Sequence, residues 1–248
     1  MKKYTFREHF LELKKRFLFI IMIFILAFGF CYYESDNIYK IILSPLIEII
    51  GGSARKIIYT NLTEAFFSYI KLSTFSAFLL IFPICCYQIY AFISPGLHRE
   101  EKKMVAGLLS LSPILFYIGS FFMFFWVMPQ AWLFFISYEN NDIGLPLVLE
   151  ARISEYLNLV LQLTLAFGLS FQLPIIMIIL SAIGLIKAES LRRKRRIAIV
   201  IIFIVAAILT PPDIFSQIAL AIPLLLLYEF SILLCNLLEK RELKNVGY

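Results

Sequence analysis

Apolar residues in this chain come in long unbroken runs separated by short polar connectors. The runs cover Phe17–Tyr33, Leu72–Ile93, Met104–Met128, Tyr156–Ile186, Ile197–Leu209 and Ile214–Leu238. Solid runs predict helices that satisfy their own backbone in lipid, whereas a lipid-facing barrel would show strands of alternating residues. The first run has 17 residues, or about 26 Å of helix, close to a hydrocarbon core of about 30 Å. Pro83 predicts a kink in the second run, where a neighbouring helix can satisfy the freed carbonyl. The fourth run is long enough to tilt and carries Gln162, Gln172 and Pro174. The fifth has 13 residues, only about 20 Å. In the sixth, which contains Ser216, Gln217, Pro223 and Glu229, the unbroken apolar part Ile218–Leu227 is shorter still. Two adjacent short spans must thin the bilayer locally or hide within the bundle.

The connectors are distinct in kind. In Met1–Arg16 the apolar positions Phe6, Phe10, Leu13 and Phe17 recur every three or four residues among basic ones, which predicts an amphipathic helix on the membrane surface. With no small-residue cleavage site after it, the first span is expected to be retained. Ile38–Ile50 is interrupted by Pro45 and followed by Gly51-Gly52-Ser53, which predicts short helices on the far side. Pro129–Ser154 reads as a second polar far-side segment. The stretch Gln88–Lys103 turns at Ser94-Pro95-Gly96 and then packs Arg99, Glu100, Glu101, Lys102 and Lys103 before the next run. Two adjacent carboxylates at the water-facing mouth of a basic protein suggest a docking site for a cation, against the plainer reading of a solvated connector.

Composition agrees with membrane solvent. The chain is 61% hydrophobic with 16% charged residues and a mean hydropathy of +0.86, too little charge for the surface of a soluble domain of 248 residues. The fold expected is all-α: one polytopic membrane domain, residues 1–248, with six transmembrane helices at about 17–33, 72–93, 104–128, 156–182, 197–209 and 214–236. Of 23 Lys and Arg, only Lys40, Arg55, Lys56, Lys71 and Arg152 fall on the far side, so both termini are predicted to be cytoplasmic. Cys31, Cys85, Cys86 and Cys235 lie in or at the ends of apolar runs without metal-ligand spacing and read as small buried residues.

Little in the chain suggests catalysis. The two histidines, His9 and His98, lie outside the spans, and there is no HExxH, GxSxG or glycine-rich phosphate loop. No enzyme, cofactor, metal or nucleic-acid partner is expected. The basic cluster Arg192–Arg196 reads as a topology determinant in preference to a site for anionic lipid headgroups. Glu229 is the acidic residue set well inside an apolar run, with no Lys or Arg expected at its depth, so its carboxyl must be protonated, hydrogen-bonded, or facing water or a partner. Gln162 and Gln172 are expected to be satisfied by interhelical bonds.

Several motifs, taken in order, carry a resemblance. They are His9-Phe10-Leu11-Glu12-Leu13-Lys14-Lys15-Arg16, Ser44-Pro45-Leu46, the segment from Gln88 through Leu97 with Glu101 beyond it, Phe171-Gln172-Leu173-Pro174, and Thr210 to Gln217 with Pro223 and Glu229. Together they resemble the TatC family, the multi-spanning receptor subunit of the twin-arginine protein translocase, over nearly the whole chain. The resemblance implies a multi-pass protein of the cytoplasmic membrane that binds twin-arginine signal peptides of folded cargo. It implies that Glu12, Glu101, Phe92, Leu97, Lys14 and Arg16 form that site. It further implies that Thr210, Gln217, Glu229 and Pro45 contact the single-span partners TatA and TatB, with self-association and surrounding lipid. Lys14 stands where the family commonly has Arg, His98 where Tyr is common, and Gln172, a polar intramembrane residue, where many members carry Glu. A carboxylate pair suits the forked donors of a guanidinium better than an ammonium. The competing class is a secondary transporter with a midplane small-molecule site, but such proteins show paired halves with matching broken helices, and both short spans here lie at the C-terminal end.

Overall fold

The computed structural model describes residues 6–50, 58–96, 99–137, 152–210 and 214–245; the side chains of Phe6, Ile50, Arg99, Glu100, Glu101 and residues 240–245 lie outside that description. The described residues form α1 (Phe6–Tyr33), α2 (Ser35–Ile50), α3 (Glu64–Ile93), α4 (Arg99–Phe122), α5 (Met128–Ile136), α6 (Ile153–Ser170), α7 (Leu173–Ala182), α8 (Ala188–Arg193), α9 (Arg195–Leu209) and α10 (Ile214–Asn245). Five helical stretches are long and apolar enough to cross a membrane. The fifth apolar run of the sequence forms α9, which at 15 residues is about 22 Å long.

Three expectations change. The helix containing Pro45 is not broken: α2 runs continuously through it. The third span does not stop at Met128 but continues through a π-helical turn, Met123–Val127, into α5. Pro129 sits in the first turn of α5, where a missing N–H costs nothing, and the wider turn, with Met128 N donating to Met123 O, absorbs the register change. The fourth span is divided at Phe171-Gln172, because Pro174 enters at the start of α7.

Prolines shape the bundle through the carbonyls they release. A proline leaves the carbonyl four residues earlier without its intrahelical donor, a serious deficit in hydrocarbon. Pro45 releases Ile41 O, which Ser44 Oγ occupies at 2.7 Å. Pro83 releases Leu79 O, which Tyr117 of α4 occupies through its hydroxyl at 2.8 Å. The expected help from a neighbouring helix is therefore present.

Packing follows the order α1 against α3, α3 against α4 and α6, α4 against α6, and α10 against α7 and α9. The main core joins Leu46, Leu72, Met128, Leu157, Phe167, Ala206 and Leu220 from six helices. A smaller seam of Ala27, Cys31, Ala77 and Ile81 holds α1 on α3, and Phe82 stacks on Phe116 at 3.9 Å between α3 and α4. At the start of α3 Glu64 ties the segments that precede α3 and α6: it accepts from Thr60 N at 2.8 Å and from Ser154 Oγ at 2.7 Å. Ile153 N donates to Ile58 O at 3.0 Å beside this knot.

Two glycines set the crossing of α4 and α6. A Cβ at Gly119 would stand 2.8 Å from the Phe167 carbonyl oxygen, and one at Gly168 would stand 2.7 Å from the Phe116 ring. Each replacement by Ala is expected to destabilise the protein by about 1–3 kcal/mol through overpacking. Gly119→Ala should be the worse, because a backbone oxygen cannot rotate away. Gly107→Ala, where nothing lies within 4 Å, should be neutral or stabilising by up to about 1 kcal/mol. Thermal unfolding in detergent of the three variants checks this order, and equal behaviour would refute it.

Candidate functional site

At the N-terminal end of the bundle α1 meets the last turns of α3. Pro95 ends α3 by Ser94-Pro95-Gly96 and has no N–H to return to Ala91 O. The guanidinium of Arg16 fills that vacancy, donating to Ala91 O at 3.1 Å and to Gln88 Oε1 at 3.0 Å. The same group donates to Glu12 Oε1 at 2.6 and 3.2 Å. One planar fork thus ties two helices and a carboxylate together, a geometry an ammonium cannot reproduce. Beside it His9 stacks on Phe92 at 4.4 Å. The side chains of Glu12 and Arg16 are only 26% and 24% exposed, so the ion pair sits in a partly dry groove and not on an open surface.

Of the residues expected in this site, the fold brings Glu12, Arg16 and Phe92 together. Lys14 is exposed on α1. Leu97 lies outside the described residues, as does the side chain of Glu101, whose backbone belongs to the first turn of α4. Gln88 and His9 were present in the quoted motifs without a role. The proline signals Arg16, because its missing N–H announces an orphan carbonyl at Ala91 that the guanidinium answers, whereas Gln88 and His9 join through the meeting of α1 and α3, which no local pattern announces.

Within the bundle Gln172 is 8% exposed and immediately precedes α7, with its side chain turned to α4 instead of capping the helix. It accepts from Ser112 Oγ and donates to Ser112 O at 3.1 Å, and Cys86 Sγ lies 3.4 Å from the same hydroxyl. Gln162 donates to Leu209 O at 2.9 Å. Both glutamines are satisfied between helices, as expected.

The thin C-terminal edge is more self-sufficient than the sequence suggests. Thr210 is 4% exposed and its hydroxyl donates to Ala206 O at 2.9 Å. Gln217 donates to Phe203 O at 3.2 Å, so its amide is met within the chain. Glu229 does have a cation at its depth: Arg195 at the start of α9 donates to its Oε2 at 2.7 Å. The pair forms because α9 is short, bringing its basic first residue alongside the middle of α10. Pro45 is buried in α2. Among the described residues no His, Cys, Asp and Glu group is arranged to hold a metal ion.

Residues 8–223 match the family described as Sec-independent protein translocase protein (TatC). The chain is 58% identical to the protein of that name from Rickettsia prowazekii (strain Madrid E), over 100% of this chain and 99% of the relative. It is 37% identical to the one from Escherichia coli (strain K12), over 90% and 85% of the two chains. Its fold is similar to a crystal structure of a twin arginine translocase receptor, TatC, with a TM-score of 0.79 and 34% identity, covering 93% of this chain and 99% of that one.

The Arg16 fork yields a direct prediction. Arg16→Gln should destabilise the protein by about 1.5–3 kcal/mol, the usual size for hydrogen bonds to charged groups, and Arg16→Lys should recover only part of that loss. Unfolding of the purified variants tests this, and a Lys variant as stable as the parent would show that the planar geometry is unimportant.

Proposed function

We propose, since the chain belongs to the TatC family of Sec-independent protein translocase proteins, that its groove at Glu12, Arg16 and Phe92 receives the arginine pair of a signal peptide. The protein is a non-enzymatic, multi-pass membrane subunit of that translocase. The observation that carries the receptor reading is the state of Glu12: a carboxylate held in a partly dry groove, with Oε1 engaged by Arg16. Its second oxygen is the natural acceptor for a guest guanidinium, and a neighbouring carboxylate from Glu101 would complete a bidentate site. Phe92 offers an apolar wall, Lys14 and Arg16 balance the charge, and Leu97, outside the described residues, joins the site on the family resemblance alone. Both termini and this groove face the cytoplasm of a cell bounded by the membrane the protein spans, as the asymmetry of bases implies. Export of folded proteins then needs no pocket for a small molecule and no reactive side chain.

The same reading assigns the edge formed by α9 and α10 to the single-span partners TatA and TatB. Gln217 is its half-exposed polar member. Thr210, buried and bonded internally, acts by shaping the tip, and Glu229 acts through its pair with Arg195. Pro45 would influence a partner through the placement of α2. A six-span arrangement, with α9 counted as the short fifth span, and self-association complete the proposal.

Glu12→Ala and Glu101→Ala should each weaken binding of a twin-arginine peptide by about 2–5 kcal/mol if the arginines bind in the partly dry groove, against at most about 1 for a wet surface pair. Glu100→Ala is the control, because on a helix it points about 100° away from Glu101. A twin-lysine peptide should bind poorly. Titration at low and physiological salt decides: parent-like binding by both first variants, or equal binding of the two peptides, would refute the site.

For the partner edge, cysteine at position 217 is expected to crosslink to a TatA or TatB helix, and cysteine at the buried position 210 to do so more weakly. Absence of any crosslink at Gln217 in correctly inserted protein would remove the edge from the proposal.

A further inference from the structure

The connector between α7 and α9 holds more geometry than a topology signal requires. Orientation in the membrane depends on how many bases flank a span, and it asks nothing of their arrangement. Here α10 grips the connector at three points. Glu239 accepts from Ala188 N at 2.7 Å, Tyr228 donates its hydroxyl to Leu191 O at 2.9 Å, and Glu229 holds Arg195 at 2.7 Å. At its start Gly184 adopts φ +74 and closes α7, with Leu185 N donating to Leu180 O at 3.0 Å, a turn open to glycine at no steric cost. That turn leaves Leu185 69% exposed, and Ile197 on α9 is 58% exposed.

The charges on this fixed frame divide into two sets. Arg193 pairs with Glu189 and Arg195 with Glu229. Lys187, Arg192, Lys194 and Arg196 are exposed and have no carboxylate partner among the described residues. They sit between two apolar side chains at the end of a helix too short to reach across a full hydrocarbon core, so the local surface is drawn toward headgroup depth.

We propose that Lys187, Arg192, Lys194 and Arg196 bind the phosphate-bearing headgroups of acidic phospholipids, with Leu185 and Ile197 against the acyl chains. The occupant is a lipid surface because the cations are flanked by the exposed apolar side chains of Leu185 and Ile197 at the end of a short apolar helix, an arrangement a soluble anion does not exploit. The inference does not depend on the receptor reading above. Bound lipid would tighten the short α9 against the bilayer without any change in the α10 contacts.

The test is retention of phosphatidylglycerol by the purified full chain, measured by native mass spectrometry after titration in detergent, with phosphatidylcholine and glycerol phosphate as the other arms. Phosphatidylglycerol should bind, phosphatidylcholine should bind weakly, and glycerol phosphate should fail to compete at equal concentration. Arg192→Gln and Lys194→Gln, made separately so that folding is preserved, should each weaken binding by about five-fold, as expected per base at an anionic surface. The effect should shrink as salt is raised. Lys102→Gln and Lys103→Gln, made separately as charge-matched controls in the first turns of α4, should each leave binding unchanged. Equal losses in the controls, no loss in either connector variant, or full competition by glycerol phosphate would each overturn the proposal.

Discussion

Hydrocarbon offers a backbone carbonyl no hydrogen-bond donor, and this fold is arranged around carbonyls that prolines release. An unmet carbonyl in such a solvent costs several kcal/mol, and three of the released oxygens recruit a side chain. Ser44 answers Pro45 locally, within one helix. Tyr117 answers Pro83 across a helix pair and so fixes α4 against α3. Arg16 answers Pro95 across α1 and α3 and brings Glu12 with it. In the last case a structural debt and a candidate binding site are the same contact.

That coupling explains why the groove is preorganised. Arg16 would be free to wander on an amphipathic surface helix, but three acceptors on two helices hold its fork. Glu12 is held in turn, so a guest that binds its carboxylate meets little loss of side-chain freedom. The stacked His9 and Phe92 cover one flank and lower the local polarity, which strengthens any charge pairing made there. The geometry of the candidate site is thus a product of helix termination.

The opposite side of the same surface follows a different logic. The second connector is gripped by α10 through Glu229, Glu239 and Tyr228, and α9 rises from it for only 15 residues. Short length draws Arg195 to the depth of Glu229, where two charges that would each be costly alone satisfy one another. Among the described residues, this connector leaves Lys187, Arg192, Lys194 and Arg196 exposed without a carboxylate partner.

Much of this was legible along the chain, because apolar runs and base counts report directly on solvent. Helical class, membrane residence, the shortness of the fifth run and the turn at Ser94-Pro95-Gly96 all follow from local composition and the rigidity of proline. Motifs in order pointed to Glu12, Arg16 and Phe92 as belonging together. What the sequence could not decide were pairings set by three-dimensional proximity. Arg195 and Glu229 are 34 positions apart, and their meeting depends on where α9 starts relative to α10. Gln172 finding Ser112, and Gln217 finding Phe203 O, likewise depend on helix rotation, which periodicity does not specify in a run that is apolar all round. The continuity of α2 through Pro45 and of the third span through Pro129 was hidden for a related reason. Proline removes one donor, and only the surrounding structure determines whether another group replaces it or the helix ends.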